Sequence, residues 1–171
     1  MGAPFSTDRS RMEAIKQIFY GFRDRVESAT LGHELGLLQF DSEVERLLAP
    51  TSDLAAFEEH IDRMAKRGAT AIFSAVVEAA AMLAPAREAG GADAELRIVV
   101  LSDGQSNNGV PAERALEAAW ALGATVDAII VGPAADLNLR KICAATGGEV
   151  YQIHDLAEGF ELFEAEAVVS L

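Results

Sequence analysis

A chain of 171 residues, half of it hydrophobic, is about one domain and can bury a substantial core. Its formal net charge of −13 repels a phosphate backbone, which argues against nucleic acid and favours cations and basic protein surfaces. No apolar run approaches the roughly 18 residues that span a bilayer, MGAPFSTDRSRM at the N-terminus lacks the apolar core of a signal peptide, and the single cysteine, Cys143, fits a reducing compartment. These features predict a cytoplasmic protein without membrane association.

In chain order, Met12, Ile15, Ile18, Phe19, Phe22 and Val26 recur at helical spacing between Arg11 and Ser28, with Ser10 and Glu13 as a capping box. ELGLLQF (Glu34–Phe40) and VERLLAP (Val44–Pro50) read as two strands, and the three residues between them permit only an antiparallel hairpin. Asp53 caps a helix reaching about Lys66, with Leu54, Phe57, Ile61 and Met64 on one side. After Arg67-Gly68-Ala69, TAIFSAVVEAAAML is apolar nearly all round, the mark of a buried helix.

The second half alternates. Strands are predicted over Leu96–Ser102, Thr125–Val131 and Glu149–Ile153, and helices over Pro111–Leu122, Leu137–Thr146 and Leu156–Val168, with Gly147-Gly148 ending the middle helix. Helices of this length between strands require parallel pairing through right-handed crossovers. The fold class is therefore α/β, a doubly wound, mostly parallel open sheet with an antiparallel edge hairpin, in one domain over residues 1–171. Trp120, at helical spacing with Leu116, and Cys143 are expected in the core.

RIVVLSDGQSNNG (Arg97–Gly109) carries the most chemistry. Its apolar run reads as a central strand buried on both faces, and Asp103 stands where that strand leaves the sheet, at the edge where open α/β sheets bind ligands. Thr70, at the start of the buried helix, falls on the same rim. A hydroxyl and a carboxylate are hard oxygen ligands that suit magnesium or manganese rather than zinc. Local chemistry alone favours the plainer reading, in which Thr70 caps its helix and Asp103 starts a turn with Gly104.

Enzymatic patterns are weak. Ser102, His154 and Asp155 are triad residue types without a Gly-x-Ser-x-Gly elbow. His33, His60 and His154 lack metal-ligand spacing, and neither a P-loop nor a G-x-G-x-x-G occurs. A dehalogenase-type phosphatase would need a second Asp two residues after Asp103, where Gln105 stands.

GLLQFDSEVERLLAPTSD, GATAIFSAVVEAA, RIVVLSDGQSNNG, ATVDAIIVG and LRKICAATGGEVYQI resemble, in order and spacing, the von Willebrand factor A family. The resemblance implies a Rossmann-like fold of that type and a metal-ion-dependent adhesion site built from an Asp-x-Ser-x-Ser motif, a Thr and an Asp. Thr70 matches the Thr position and Asp103 the Asp position. The Asp-x-Ser-x-Ser, which the family carries at the end of a central first strand, has no match: DRSRM (Asp8–Met12) imitates it weakly, and Asp8 and Ser10 read as helix caps. The first central strand is thus expected to be missing from the chain, leaving Mg2+ or Mn2+ held weakly because three family ligands are absent.

The expected function is a non-enzymatic protein-interaction domain. It binds a protein partner, through a carboxylate of that partner, at a divalent-metal rim holding Thr70 and Asp103, with Gln105, Ser106, Asn107 and Asn108 as partner-binding residues. The alternatives are a magnesium-dependent small hydrolase or phosphatase using Asp103, and a metal-independent scaffold.

Overall fold

The computed structural model describes residues 8–28, 33–63, 70–102, 105–131 and 135–153. In order these form α1 (Asp8–Ser28), β1 (Leu35–Phe40), β2 (Val44–Thr51), α2 (Leu54–Arg63), α3 (Ile72–Gly90), a 3-10 turn (Gly91–Asp93), β3 (Arg97–Ser102), α4 (Ala112–Leu122), β4 (Thr125–Val131), α5 (Leu137–Thr146) and β5 (Val150–Ile153). No described helix is long and apolar enough to cross a membrane. The expected helix over Leu156–Val168 lies outside the described residues.

The chain divides into two compact units, one of Met1–Leu37, Leu47–Lys66 and Ile153–Leu171, the other of Leu38–Arg46 and Arg67–Gln152. In the first, Leu37, Phe57 and Ile61 form a small buried cluster against Phe19, Tyr20, Leu35, Leu47 and Leu48. The Phe19 and Phe57 rings meet edge to face with centroids 6.1 Å apart, the arrangement favoured by the ring quadrupole. Asp53 caps α2 as expected, its Oδ1 accepting the N–H groups of Ala55 and Ala56 at 3.2 Å.

The second unit carries the main core. Strands β3 and β4 pair in parallel, with Ile98 beside Val126, Val100 beside Ala128 and Ser102 beside Ile130. These apolar side chains pack with Ile72, Phe73, Val76, Ala79 and Ala80 of α3, Ala115 and Ala119 of α4, and Leu139, Ile142 and Cys143 of α5. The run from Ile72 is thus the buried helix its composition implied. Gly123 and Gly147, with φ of 68° and 78°, end α4 and α5 in the left-handed conformation that glycine adopts without steric cost.

The Ser10 side chain of the expected capping box is not among those described. Three expectations are corrected. Strand β3 is not central among the described residues: the strands form two sheets, β1-β2 and β3-β4-β5, and β4 occupies the middle of the second. Nor is β3 buried on both faces. Ile98, Val100 and Ser102 are buried, but Arg97 is exposed and Val99 is 37% exposed, because alternate side chains of a strand turn away from the helices. Trp120 is 58% exposed. The inward positions of α4 are Ala115 and Ala119, and Trp120, one residue further, is rotated about 100° off that line; its indole N–H donates to Ala145 O at 3.1 Å.

Candidate functional site

The loops of the second unit converge through short polar side chains. Residue Thr70 lies just before α3, whose N-cap is Ala71 and which has no side-chain cap. The Thr70 hydroxyl therefore does not serve as a helix cap. Its main chain is held instead: Thr70 N–H donates to Asn107 Oδ1 at 2.9 Å, and Thr70 O accepts from Asn107 N–H at 3.0 Å and Ser106 Oγ at 3.3 Å. Among the described residues Thr70 Oγ1 has no hydrogen-bond partner.

Two further contacts tie in the hairpin turn. Ala71 N–H donates to Asp41 O at 2.8 Å, and Asn108 Nδ2 donates to Ser42 O at 2.9 Å. The Asp41 carboxylate folds back on its own turn, accepting Glu43 N–H at 2.9 Å and Ser42 Oγ at 3.1 Å. At the far end of the loop, Val110 N–H donates to Ser74 Oγ at 3.0 Å. Gly109 adopts φ of 91° there, and a Cβ at that position would overlap Ser74 Oγ.

On the other side, Gln105 Nε2 donates to Ala135 O at 3.2 Å. The Asp136 carboxylate, only 6% exposed, accepts Ser106 N–H through Oδ2 at 3.0 Å. Through Oδ1 it accepts Asn138 N–H at 2.8 Å and Leu139 N–H at 3.2 Å, capping α5.

The structure thus brings Thr70, Ser106 and Asn107 into one hydrogen-bonded group and extends it through Asn108 to the hairpin turn and through Gln105 and Ser106 to the start of α5. Asp103 lies outside the described residues. Among the described residues no group of three or more His, Cys, Asp or Glu could hold a metal ion. Thr70 Oγ1 is a suitable hard oxygen, but the nearby carboxylate of Asp136 is committed to three backbone N–H groups. Without a cluster of acidic side chains, the described residues by themselves fall short of the near-octahedral oxygen shell that magnesium requires.

Sequence reasoning missed Asp136. Its place directly before the helical LNLRK carries an N-cap signal, but its link to Ser106 across 30 residues leaves no local trace. Cys143 is fully buried, and burial, reinforced by Asp127, pushes its thiol up to about 12. Such a thiol is core material rather than a nucleophile.

An α/β scaffold with a polar rim at the carboxyl ends of its strands defines the class, and the comparisons with known proteins narrow it. The von Willebrand factor type A domain matches residues 6–165, and the chain belongs to that family, whose fold serves protein–protein interaction. A protein of Acanthamoeba polyphaga mimivirus named as a probable bifunctional E2/E3 enzyme is 23% identical over 98% of this chain; the chain spans only 13% of that relative's length. Among solved structures, an aerotolerance-related membrane protein from Bacteroides fragilis superposes with a TM-score of 0.74 at 18% identity, covering 97% of this chain and 92% of that one. Proximal thread matrix protein 1 from the mussel byssus, with zinc in its metal-ion-dependent adhesion site, gives 0.71 at 20% identity, covering 92% and 42%. At these identities the structures share the fold, and the ion is a property of the mussel protein.

Proposed function

We propose that this chain is a single, non-enzymatic interaction domain that recognises a carboxylate of a protein partner through a divalent cation, Mg2+ or Mn2+, held at the rim by Thr70 and Asp103. One observation carries the reading: Thr70 has its backbone pinned from both sides while its hydroxyl is used neither as a cap nor as a hydrogen-bond donor among the described residues. A threonine needed only for the turn would be replaceable by any residue with the same backbone. Asp103 supplies the anionic ligand, and the cation converts an acidic surface into one that attracts an acidic partner group. Gln105, Ser106, Asn107 and Asn108 surround the ion as neutral groups. Each spends one side-chain polar atom on the rim, and the remaining amide atoms are offered to the partner.

No Asp-x-Ser-x-Ser occurs in the sequence, so the ion is bound weakly. The test is calorimetric titration of Mg2+ and Mn2+ into the wild type, Thr70→Ala and Asp103→Ala, followed by addition of an acetylated aspartate amide as a carboxylate probe. The reading requires weak ion binding that is lost in Asp103→Ala, reduced in Thr70→Ala, and obligatory for the probe. Ion binding that survives Asp103→Ala refutes it.

A second reading, a scaffold that binds its partner without metal, is favoured by the lack of an acidic ligand cluster among the described residues. Partner binding unaffected by chelator would establish it. The activity in the mimivirus protein's name belongs to a polypeptide of which this chain matches a small part. Turnover of a generic phosphate ester by the wild type, lost in Asp103→Ala, would revive the hydrolase alternative.

A further inference from the structure

The geometry points to Asp136 as the positioning residue of the rim: its buried carboxylate fixes the Gln105–Asn108 loop and, through that loop, the place of Thr70. This deepens the proposed function and rests on its reading of the rim as the binding site. The chain of contacts is continuous. Asp136 Oδ2 accepts Ser106 N–H, Ser106 Oγ donates to Thr70 O, and the next residue, Asn107, closes both main-chain groups of Thr70. At the other end, Asp136 Oδ1 holds the first N–H groups of α5, a helix seated in the core by Leu139, Ile142 and Cys143.

Two features separate this role from plain helix capping. A cap needs one side-chain oxygen, and a serine would supply it; Asp136 uses its second oxygen on a loop 30 residues away in sequence. A carboxylate that accepts N–H groups through both oxygens makes charge-assisted bonds, stronger than those of a neutral side chain. They are sheltered from water here, since the residue is 6% exposed. Three of the roughly four acceptor sites of the carboxylate are taken by these N–H groups, and the role assigned to Asp136 is to hold Thr70.

The experiment compares the full-length wild type with Asp136→Ser, which keeps a capping oxygen but cannot also reach Ser106, and with Asn107→Ala, which cuts the next link without touching α5. Backbone amide exchange is read by NMR, and Mn2+ is added as a paramagnetic probe whose broadening reports the ion's neighbours. In Asp136→Ser the amides of Ser106 and Asn107 exchange at least tenfold faster, while Leu139 and the β4 amides of Ala128 and Ile130 stay within twofold of wild type. The Mn2+ concentration that half-broadens the rim amides rises at least fivefold. In Asn107→Ala the Thr70 amide loosens while the Ser106 amide keeps its protection.

Loop amides that exchange at the wild-type rate in Asp136→Ser overturn the proposal. So does a Mn2+ midpoint within twofold of wild type in a variant whose loop has loosened, since Asp136 would then be structural only. If the wild type shows no Mn2+ broadening at the rim, the ion-binding reading falls, and with it Asp136's role toward an ion; the exchange data then still decide whether Asp136 fixes Thr70.

Discussion

Replacing Gly109 by alanine should strain the rim without touching any side chain proposed to meet the ion. The backbone there has φ of 91°, and holding an L-residue in left-handed territory costs about 1–2 kcal/mol. The new Cβ would overlap Ser74 Oγ and stand 3.2 Å from Ala71 Cβ and 3.3 Å from Ser74 Cβ. Relief requires Ser74 to turn away, which gives up its hydrogen bond to Val110 N–H, a further loss of about 1 kcal/mol. The sum is about 2–3 kcal/mol, and at about 2–4 °C per kcal/mol for a chain of this size the Tm should fall by roughly 4–12 °C. Urea unfolding of wild type, Gly109→Ala, Ser74→Ala and the double variant checks the reasoning through a mutant cycle. Removing Oγ relieves the overlap and leaves the φ strain, so Ser74→Ala should cost less in the Gly109→Ala background than alone. Gly109→Ala within about 0.5 kcal/mol of wild type, the scatter expected of an innocuous surface change, would refute both the strain and the close approach.

Three further changes test the scaffold. Arg87→Ala removes a guanidinium that donates to Leu122 O at 2.9 Å, Gly91 O at 2.9 Å, Ala94 O at 2.7 Å and Gly123 O at 3.1 Å; counting mainly the two part-buried bonds, it should cost about 2–4 kcal/mol in urea unfolding, with Arg87→Lys recovering less than half. Val76→Asp places a carboxylate at a position of 0% exposure and should cost several kcal/mol, on the order of the whole stability margin; unchanged thermal unfolding would put α3 on the surface. The Tyr20 phenol donates to Asp62, and that bond, with burial and the carboxylate's charge, pushes its pKa up to about 12. A raised folded-state pKa favours the neutral phenol, so its contribution is complete below about pH 10 and is lost as pH rises through about 12; absorbance titration should show Tyr20 ionising late, and Tyr20→Phe should remove that loss.

What the sequence made legible was periodic. The helix from Ile72 could be read because it is apolar on almost every side, and α5 because Gly147 follows its last turn with the φ of 78° that favours glycine. The pairing of β3 with β4 follows from the helix between them. Side-chain burial was harder wherever size rather than polarity decided it. Alanines 115 and 119 line the buried side of α4, so the larger Trp120 beside them, apolar by composition, lies on the surface. Val99 belongs to an apolar run but turns to the opposite side of the strand from Ile98 and Val100, and a run of β-branched residues does not reveal which face a helix will cover. At the site, Thr70 and the Gln105–Asn108 loop could be named from residue type. Their mutual hydrogen bonds join residues 36 and 37 positions apart, the bond from Ser106 to Asp136 spans 30, and no local pattern encodes them.

The charge of the chain and the chemistry of the rim together decide what kind of partner each reading allows. A net charge of −13 repels an acidic partner at long range. Nothing among the described rim residues reverses this, because Thr70, Gln105, Ser106, Asn107 and Asn108 are neutral and the Asp41 and Asp136 carboxylates are turned onto backbone N–H groups. Without an ion, the favoured partner is basic, and added salt weakens its binding through screening. With an ion at Thr70 and Asp103, a carboxylate gains a ligand position worth more than the screened repulsion around it, and binding then depends on the ion. The two readings therefore predict opposite partner charge as well as opposite responses to chelator. Measuring binding of one acidic and one basic peptide, each with magnesium and with chelator, separates them in four titrations. Acidic-peptide binding that chelator abolishes supports the ion-dependent site, and basic-peptide binding indifferent to chelator supports the bare scaffold.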